Sequence, residues 1–370
     1  MTVPIIRPVF DQAELDALTA CLESGMVSQG TRVADFERLF AAYLGKGDAV
    51  ALSSCTAALH VALLALGVGP GDEVIVPALT WVATANAVAC TGARPVFADV
   101  QPETFALDPD AARRVLSPRT RGIIPVHLFG LCADMDALAG LAGEHGLFVL
   151  EDAACALGSL YKGRRAGLLG DASCFSFHPR KVITTGEGGM ICSERADILR
   201  TARSLRSHGC RPLAAEAPAW AMPEVPHLGY NYRMTDLQGA LGCAQMAKLE
   251  DILAERARIA DVYAGLLRGT SVMPPLTPAD CRHSWQSYVV RFADMASRNA
   301  AADRLTRAGV QCRPGTHAVH RLGWHCARIA AQSDICPAAS LCEDTSLALP
   351  VVHGMDFATQ QAIVSELLNA

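Results

Sequence analysis

Residues Asp171–Ile191 read DASCFSFHPRKVITTGEGGMI, and this stretch decides how the rest of the chain is read. The alternating segment Cys174-Phe175-Ser176-Phe177 suits a buried strand. It leads into Lys181 and then into the tight turn Thr184-Thr185-Gly186-Glu187-Gly188-Gly189. Lys181 is one of only four lysines, beside 28 arginines. The other three have solvated settings: Lys46 in a GKGD turn, Lys162 in YKGRR, and Lys248 on the helical pattern AKLEDILAER. A lysine between a strand and a glycine turn lies against apolar walls. Desolvation there is expected to lower its pKa and favour the neutral amine. Such an amine is suited to forming a Schiff base with an aldehyde.

Upstream, the chain repeats strand, loop and helix. Strands are expected at Ala49–Leu52, Glu73–Val76, Pro95–Ala98, Gly122–Val126 and Leu147–Leu150, with helices near 82–90, 108–116 and 134–145. This alternation predicts an α/β fold whose mostly parallel sheet is covered on both faces. Ligands bind beyond the carboxyl ends of strands in such sheets. Trp81 and Asp152 fall at two of those ends. The turn Ser53-Ser54-Cys55-Thr56 opens a helix, and its free backbone N–H groups make a ready anion site. Two amphipathic helices precede it, 11–24 with Leu15, Leu18 and Leu22 on one face, and 32–44.

Downstream, Thr235 and Gln238 form a capping box that opens a long helix with an apolar stripe from Leu237 to Leu266. The stretch Gly269–Pro278 is rich in turn residues and marks a change of domain. A smaller α+β unit follows, with a strand at Tyr288–Phe292, a helix at Ser297–Ala308, a histidine-rich loop and a closing helix at Phe357–Leu368. The division expected is 1–250 for the large domain and 251–370 for the small one.

The chain has 370 residues, 51% of them hydrophobic and 19% charged, with a net charge of −5. That balance, with basic residues dispersed, gives no electrostatic case for nucleic acid. MTVPIIRPVFDQAEL lacks a cleavage pattern, and Val74–Ala93 is interrupted by Pro77, Thr80, Asn86 and Gly92. The chain therefore reads as cytosolic, without a membrane span. Its 14 cysteines include no CxxC pair. They read as reduced thiols in apolar contexts, as at Cys90, Cys174 and Cys243. Cys312, His317, His320, His325 and Cys326 crowd together, but their spacing fits no ordinary zinc pattern.

SFHPRKVITTGEGG resembles the cofactor-lysine motif of the DegT/DnrJ/EryC1/StrS family, the pyridoxal-phosphate (PLP) sugar aminotransferases. The likeness runs from Phe10 to the last helix and is densest between Ser53 and Thr235. It implies fold type I, that of the aspartate aminotransferase superfamily, with a small C-terminal domain. It also implies that Lys181 holds PLP and shuttles the proton. By the same likeness Asp152 pairs with the ring nitrogen, Trp81 stacks on the ring, and Cys55, Thr56 and Ser176 bind the phosphate. Glu151 is the competing acid. GYNYRMT would reach into a neighbouring subunit, so that Asn231 touches the partner's phosphate in a homodimer with shared sites. Arg233 is expected at the donor carboxylate and His320 at the substrate. The family often reads EDAAQA, with Gln on the phenolic oxygen; this chain has EDAACA, placing Cys155 there. The resemblance implies glutamate as amino donor and a keto sugar, nucleotide-linked and of the 4-keto-6-deoxy type, as acceptor. Met26–Arg32, Arg211–Pro226 and Gly315–His325 would choose that sugar. Two rivals remain: a dehydratase branch, in which histidine replaces the lysine, and a non-catalytic PLP-binding protein.

Overall fold

Successive residues along each central strand face opposite sides of one sheet, and both sides are buried. In the first strand Val50 and Leu52 join one apolar core while Ala49 and Ala51 join another. The same alternation separates Val74 and Val76 from Ile75, and Cys174 from Phe175. A period of two with apolar residues on both faces is what a covered sheet requires. The computed structural model describes residues 2–369 except 46, 212, 214, 215, 219 and 330–333. The setting of Lys46 and part of the Arg211–Pro226 loop therefore lie outside the described residues.

Seven strands form the main sheet: β1 (Asp48–Leu52), β2 (Glu73–Pro77), β3 (Arg94–Ala98), β4 (Thr120–Ile123), β5 (Phe148–Asp152), β6 (Ala172–Ser176) and β7 (Gly189–Ser193). Their order is β1-β7-β6-β5-β4-β2-β3. Only β7 runs against the others: it pairs antiparallel with β1 and β6, and the remaining pairs are parallel. β4 ends earlier than the sequence suggests, because Val126 contributes only an isolated bridge to Asp152. β5 ends later, so that Asp152 is its last residue.

The expected long helix is two helices, Asp236–Ala247 and Leu249–Leu267, broken at Lys248. Thr235 and Gln238 form the capping box that starts the first. Lys248 leaves helical geometry and its Nζ reaches Glu14 at 2.6 Å and Asp11 at 2.8 Å. That anchorage also sets the N-terminal helix, Gln12–Glu23. Glu14 and Cys21 face inward, while Leu15 and Leu22 are exposed, the reverse of the face expected from the sequence.

The second helix of the pair spans two cores. Leu249, Ile252 and Leu253 join a main-sheet core, whereas Ile259, Ala260, Tyr263 and Leu267 join a third cluster. That third core covers one face of a small sheet built from Tyr288–Arg291, Arg313–Pro314 and Ser346–Leu349, whose Val289 and Ala348 join the large core on the other face. The later chain also returns to the large core: Ala318, Val319, Cys336, Ala339 and Cys342 pack there. His317–Ala318 pairs with Leu79–Thr80, just beyond β2, and so brings C-terminal residues to the end of the main sheet.

Of the expected buried thiols, Cys174 is buried, but Cys90 is exposed as the last residue of its helix, and Cys243 is intermediate. All 14 cysteines are free. Among the described residues no helix is long and apolar enough to cross a membrane. No group of three or more His, Cys, Asp or Glu there could hold a metal ion.

Candidate active site

A cleft of about 500 Å³ opens at the carboxyl ends of the central strands. The end of β5 delivers the buried carboxylate of Asp152 to it. Thr84 Oγ1 donates to Asp152 Oδ2 at 2.7 Å and the Ala154 N–H to Oδ1 at 3.2 Å. Thr84 is a residue the sequence reading missed. It lies one helical turn beyond Trp81, whose carbonyl it also meets at 3.3 Å, and that spacing was the available signal.

Glu151, one residue earlier, points to the opposite face. It is fully buried, and its carboxylate accepts N–H groups from Gly167, Leu169 and Gly170 at 2.7, 2.7 and 2.8 Å. His127 Nε2 completes its shell at 2.9 Å. The pleat of β5 thus separates a structural acid from one that faces the cleft.

The anion cradle is built by three elements. Ser54 caps the helix Cys55–Ala65 by accepting the Ala57 N–H at 3.1 Å. The first-turn N–H groups of a helix have no intrahelical partner, and here Cys55 and Thr56 line the cleft. β7 passes directly beneath this turn. A Cβ at Gly189 would fall on the Ser54 carbonyl and lie 2.6 Å from the Cys55 nitrogen. Only glycine lets the two backbones approach this closely. Ser176, at the end of β6, completes that wall, and its Oγ accepts the His178 N–H at 3.4 Å.

Lys181 extends into the same cleft, with Nζ 3.1 Å from Cys155 Sγ. Burial pulls its pKa down, but Cys155, Cys55 and Asp152 together outweigh that, and the net shift is upward. The sequence reading, from desolvation alone, gave the opposite direction; it lacked the neighbouring sulfur and carboxylate. His178 is shifted down, first by burial and then by Lys181, Arg180 and Arg313, against Glu187.

Trp81 stands at the mouth with 60% of its surface exposed. The ring beside it is His317, 5.7 Å away and tilted by 43°. His320, expected at the substrate, does not line this cleft. It is buried in the turn Val319–Arg321, and its Nε2 meets Asp334 at 2.8 Å. Pairing of His317 with Thr80 sets that histidine beside Trp81 at the mouth.

Asn231 and Arg233 do not line this chain's own cleft. Asn231 is exposed, beside Ser207, and Arg233 Nη1 donates to Ser207 Oγ at 3.2 Å. Their segment still runs next to the cradle, since Tyr232 O accepts the Ser53 N–H at 2.8 Å. Arg180, Gln286 and Arg313 line the cleft and were not singled out in the sequence.

The model of the DegT/DnrJ/EryC1/StrS aminotransferase family matches residues 8–368. The chain belongs to that family. Over 370 residues, 99% of this chain and 97% of the relative, it is 38% identical to GDP-perosamine synthase of Caulobacter vibrioides. It is 40% identical over 328 residues, 87% of this chain and 84% of the relative, to the spore coat polysaccharide biosynthesis protein SpsC of Bacillus subtilis. The Streptococcus pneumoniae protein Spr1654, assigned as a sugar aminotransferase and solved in a PLP form, superposes with a TM-score of 0.91 at 27% identity, covering 100% of both chains.

This aminotransferase is PLP-dependent and has the fold type I architecture. The residues present fit the cofactor. A buried carboxylate faces the cleft, a glycine-floored helix start offers N–H groups for a phosphate, and one lysine amine projects between them.

Proposed function

We propose that this aminotransferase moves the amino group of glutamate to the keto group of a nucleotide-linked 4-keto-6-deoxy sugar, in cytoplasmic amino-sugar biosynthesis. The observation that carries the reading is the presence of Lys181 and Asp152 in one cleft, in a chain similar over its whole length to GDP-perosamine synthase. PLP, when bound, supplies the electron sink that makes the donor's Cα proton removable. Cys55 and Thr56 N–H groups with Ser176 would hold its phosphate, and Trp81 would cover its ring. Asp152, oriented by Thr84 and Ala154, would hold the proton at the ring nitrogen. Lys181 Nζ would take the Cα proton and return it on the other side of the reacting system. The enzyme would work as a homodimer in which Asn231 serves the partner's phosphate site; its exposure outside its own cleft supports that reading.

The test is to incubate the purified protein with PLP, glutamate and a panel of nucleotide-linked keto sugars differing in ketone position. Formation of 2-oxoglutarate together with an amino sugar is the expected result, lost in Lys181→Ala. Amine transfer only to acceptors other than sugar nucleotides would overturn the acceptor assignment.

A further inference from the structure

Asp152 stands at the end of a line of buried hydroxyl groups. Thr80 closes the short strand Leu79–Thr80, Thr84 lies in the first turn of the helix Ala83–Cys90, and each is 1% exposed. Thr80 Oγ1 is 3.2 Å from Thr84 Oγ1, which is in turn 2.7 Å from Asp152 Oδ2. The strand is held in place by its pairing with His317–Ala318, and the Val319 N–H donates to the Ala78 carbonyl at 2.7 Å. That ladder fixes the backbone from which Thr80 projects.

Proton counting sets the direction of the line. A hydroxyl has one proton to donate. Thr84 Oγ1 has Asp152 Oδ2 at 2.7 Å and the Trp81 carbonyl at 3.3 Å. The carbonyl already accepts the Thr84 N–H, and the carboxylate is both nearer and charged, so the Thr84 proton goes to Asp152. Towards Thr80, Thr84 Oγ1 can then only accept. The Thr80 proton therefore points at Thr84, which polarises the second O–H and strengthens its bond to the acid. The other neighbours of Asp152 do not replace this pair. The Ala154 N–H serves the other oxygen, at the longer distance of 3.2 Å. Burial holds Cys55 and Cys174 well above the ordinary thiol pKa, so both stay neutral. Lys181 favours a charged Asp152, but its amine is the group that the proposed chemistry engages.

We infer that Thr80 and Thr84 are positioning residues that decide where the proton between Asp152 and the cofactor's ring nitrogen resides. This rests on the reading of Asp152 as the partner of that nitrogen. In a buried pair the proton sits either on nitrogen, leaving a carboxylate, or on oxygen, leaving two neutral groups. Donors to the carboxylate favour the first arrangement. Without them, desolvation favours the neutral pair.

The test loads the enzyme with PLP labelled with nitrogen-15 in the ring and reads the nitrogen signal by solid-state NMR. Thr84→Val keeps the shape and removes the donor. It should move the proton towards Asp152 by about 10-fold or more, the size of one charge-assisted hydrogen bond, and carry the signal towards that of an unprotonated ring. Thr84→Ala serves if the valine variant does not fold. Thr84→Ser should keep the unaltered signal. Thr80→Val should shift it less than Thr84→Val, and should add nothing once Thr84→Val is present, because it acts through Thr84. A purely structural role would lower the melting temperature and leave the nitrogen signal in place. Asp152→Asn is the control: an unmoved signal there sinks the reading of Asp152, and this inference with it. If Asp152→Asn moves the signal but removal of the Thr84 hydroxyl does not, the hydroxyl line is overturned and Asp152 keeps its role. A shift equally large in Thr84→Ser, or undiminished for Thr80→Val on the Thr84→Val background, overturns it too.

Discussion

Lys181 Nζ lies 3.1 Å from Cys155 Sγ, so a thiol rather than an amide touches the amine of this active site. The sulfur is one of the groups holding the lysine's pKa above its ordinary value. Cys155→Ala should therefore lower the pH at which Lys181 becomes reactive. Competitive acylation of the cofactor-stripped protein across pH, read by mass spectrometry at Lys181, measures this. An unchanged midpoint would show that the contact does not tune the amine.

Asp152→Asn should leave the fold intact and slow turnover by on the order of 10²-fold or more, the usual cost of a lost electrostatic contact to a transition state. Glu151→Gln should act instead on stability, because three backbone N–H groups depend on its charge. Comparing kcat with the unfolding midpoint for the two variants separates the roles. Near-normal kcat in Asp152→Asn would remove Asp152 from the chemistry.

Gly189→Ala places a methyl group against the Ser54 carbonyl. Overpacking of this kind costs about 1–3 kcal/mol, and here it pushes the cradle turn out of place. PLP affinity, followed by fluorescence titration, should fall. Full affinity with an unchanged melting temperature would contradict the close approach of β7 to the turn.

His283 is buried against Trp285, ring on ring at 3.9 Å, and its Nδ1 accepts the Trp285 N–H at 2.8 Å. A proton on Nδ1 would oppose that donor, and burial pushes the imidazole pKa down to about 3. The unfolded chain takes up this proton first. Stability from the neutral ring is thus complete above the ordinary histidine pKa and is lost as pH falls from about 6.5 towards 3, by about 1.4 kcal/mol per pH unit. Denaturant unfolding of His283→Gln should show a shallower acid limb. An identical limb in both proteins would exclude His283 as its source.

The shared-site proposal predicts complementation. Asn231→Ala and Lys181→Ala chains, each impaired or inactive alone, should regain up to roughly a quarter of full activity after subunit exchange. Isologous contacts place both defects in one site of a mixed dimer and leave the other site whole. No recovery despite demonstrated exchange would assign Asn231 to its own subunit.

Periodicity is local, and it located most of the elements. The alternation around Phe175 and Phe177, the capping box at Thr235 and the apolar runs of the parallel strands each depend on neighbours in the chain. The same local logic put Lys181, Asp152 and the Cys55–Thr56 turn at element ends, where an α/β fold places its chemistry. Which side chains meet there depends on register between distant segments. Pairing of His317 with Thr80 turned His317 to Trp81 and sent His320 to Asp334. Lys248 split a continuous apolar stripe because acids far away in sequence captured its ammonium. The contacts of Cys155 with Lys181 and of Thr84 with Asp152 arise from residues brought together across the fold. Electrostatic shifts depend on distances in space, so tertiary structure alone set the direction for Lys181 and the place of Thr84 beside Asp152.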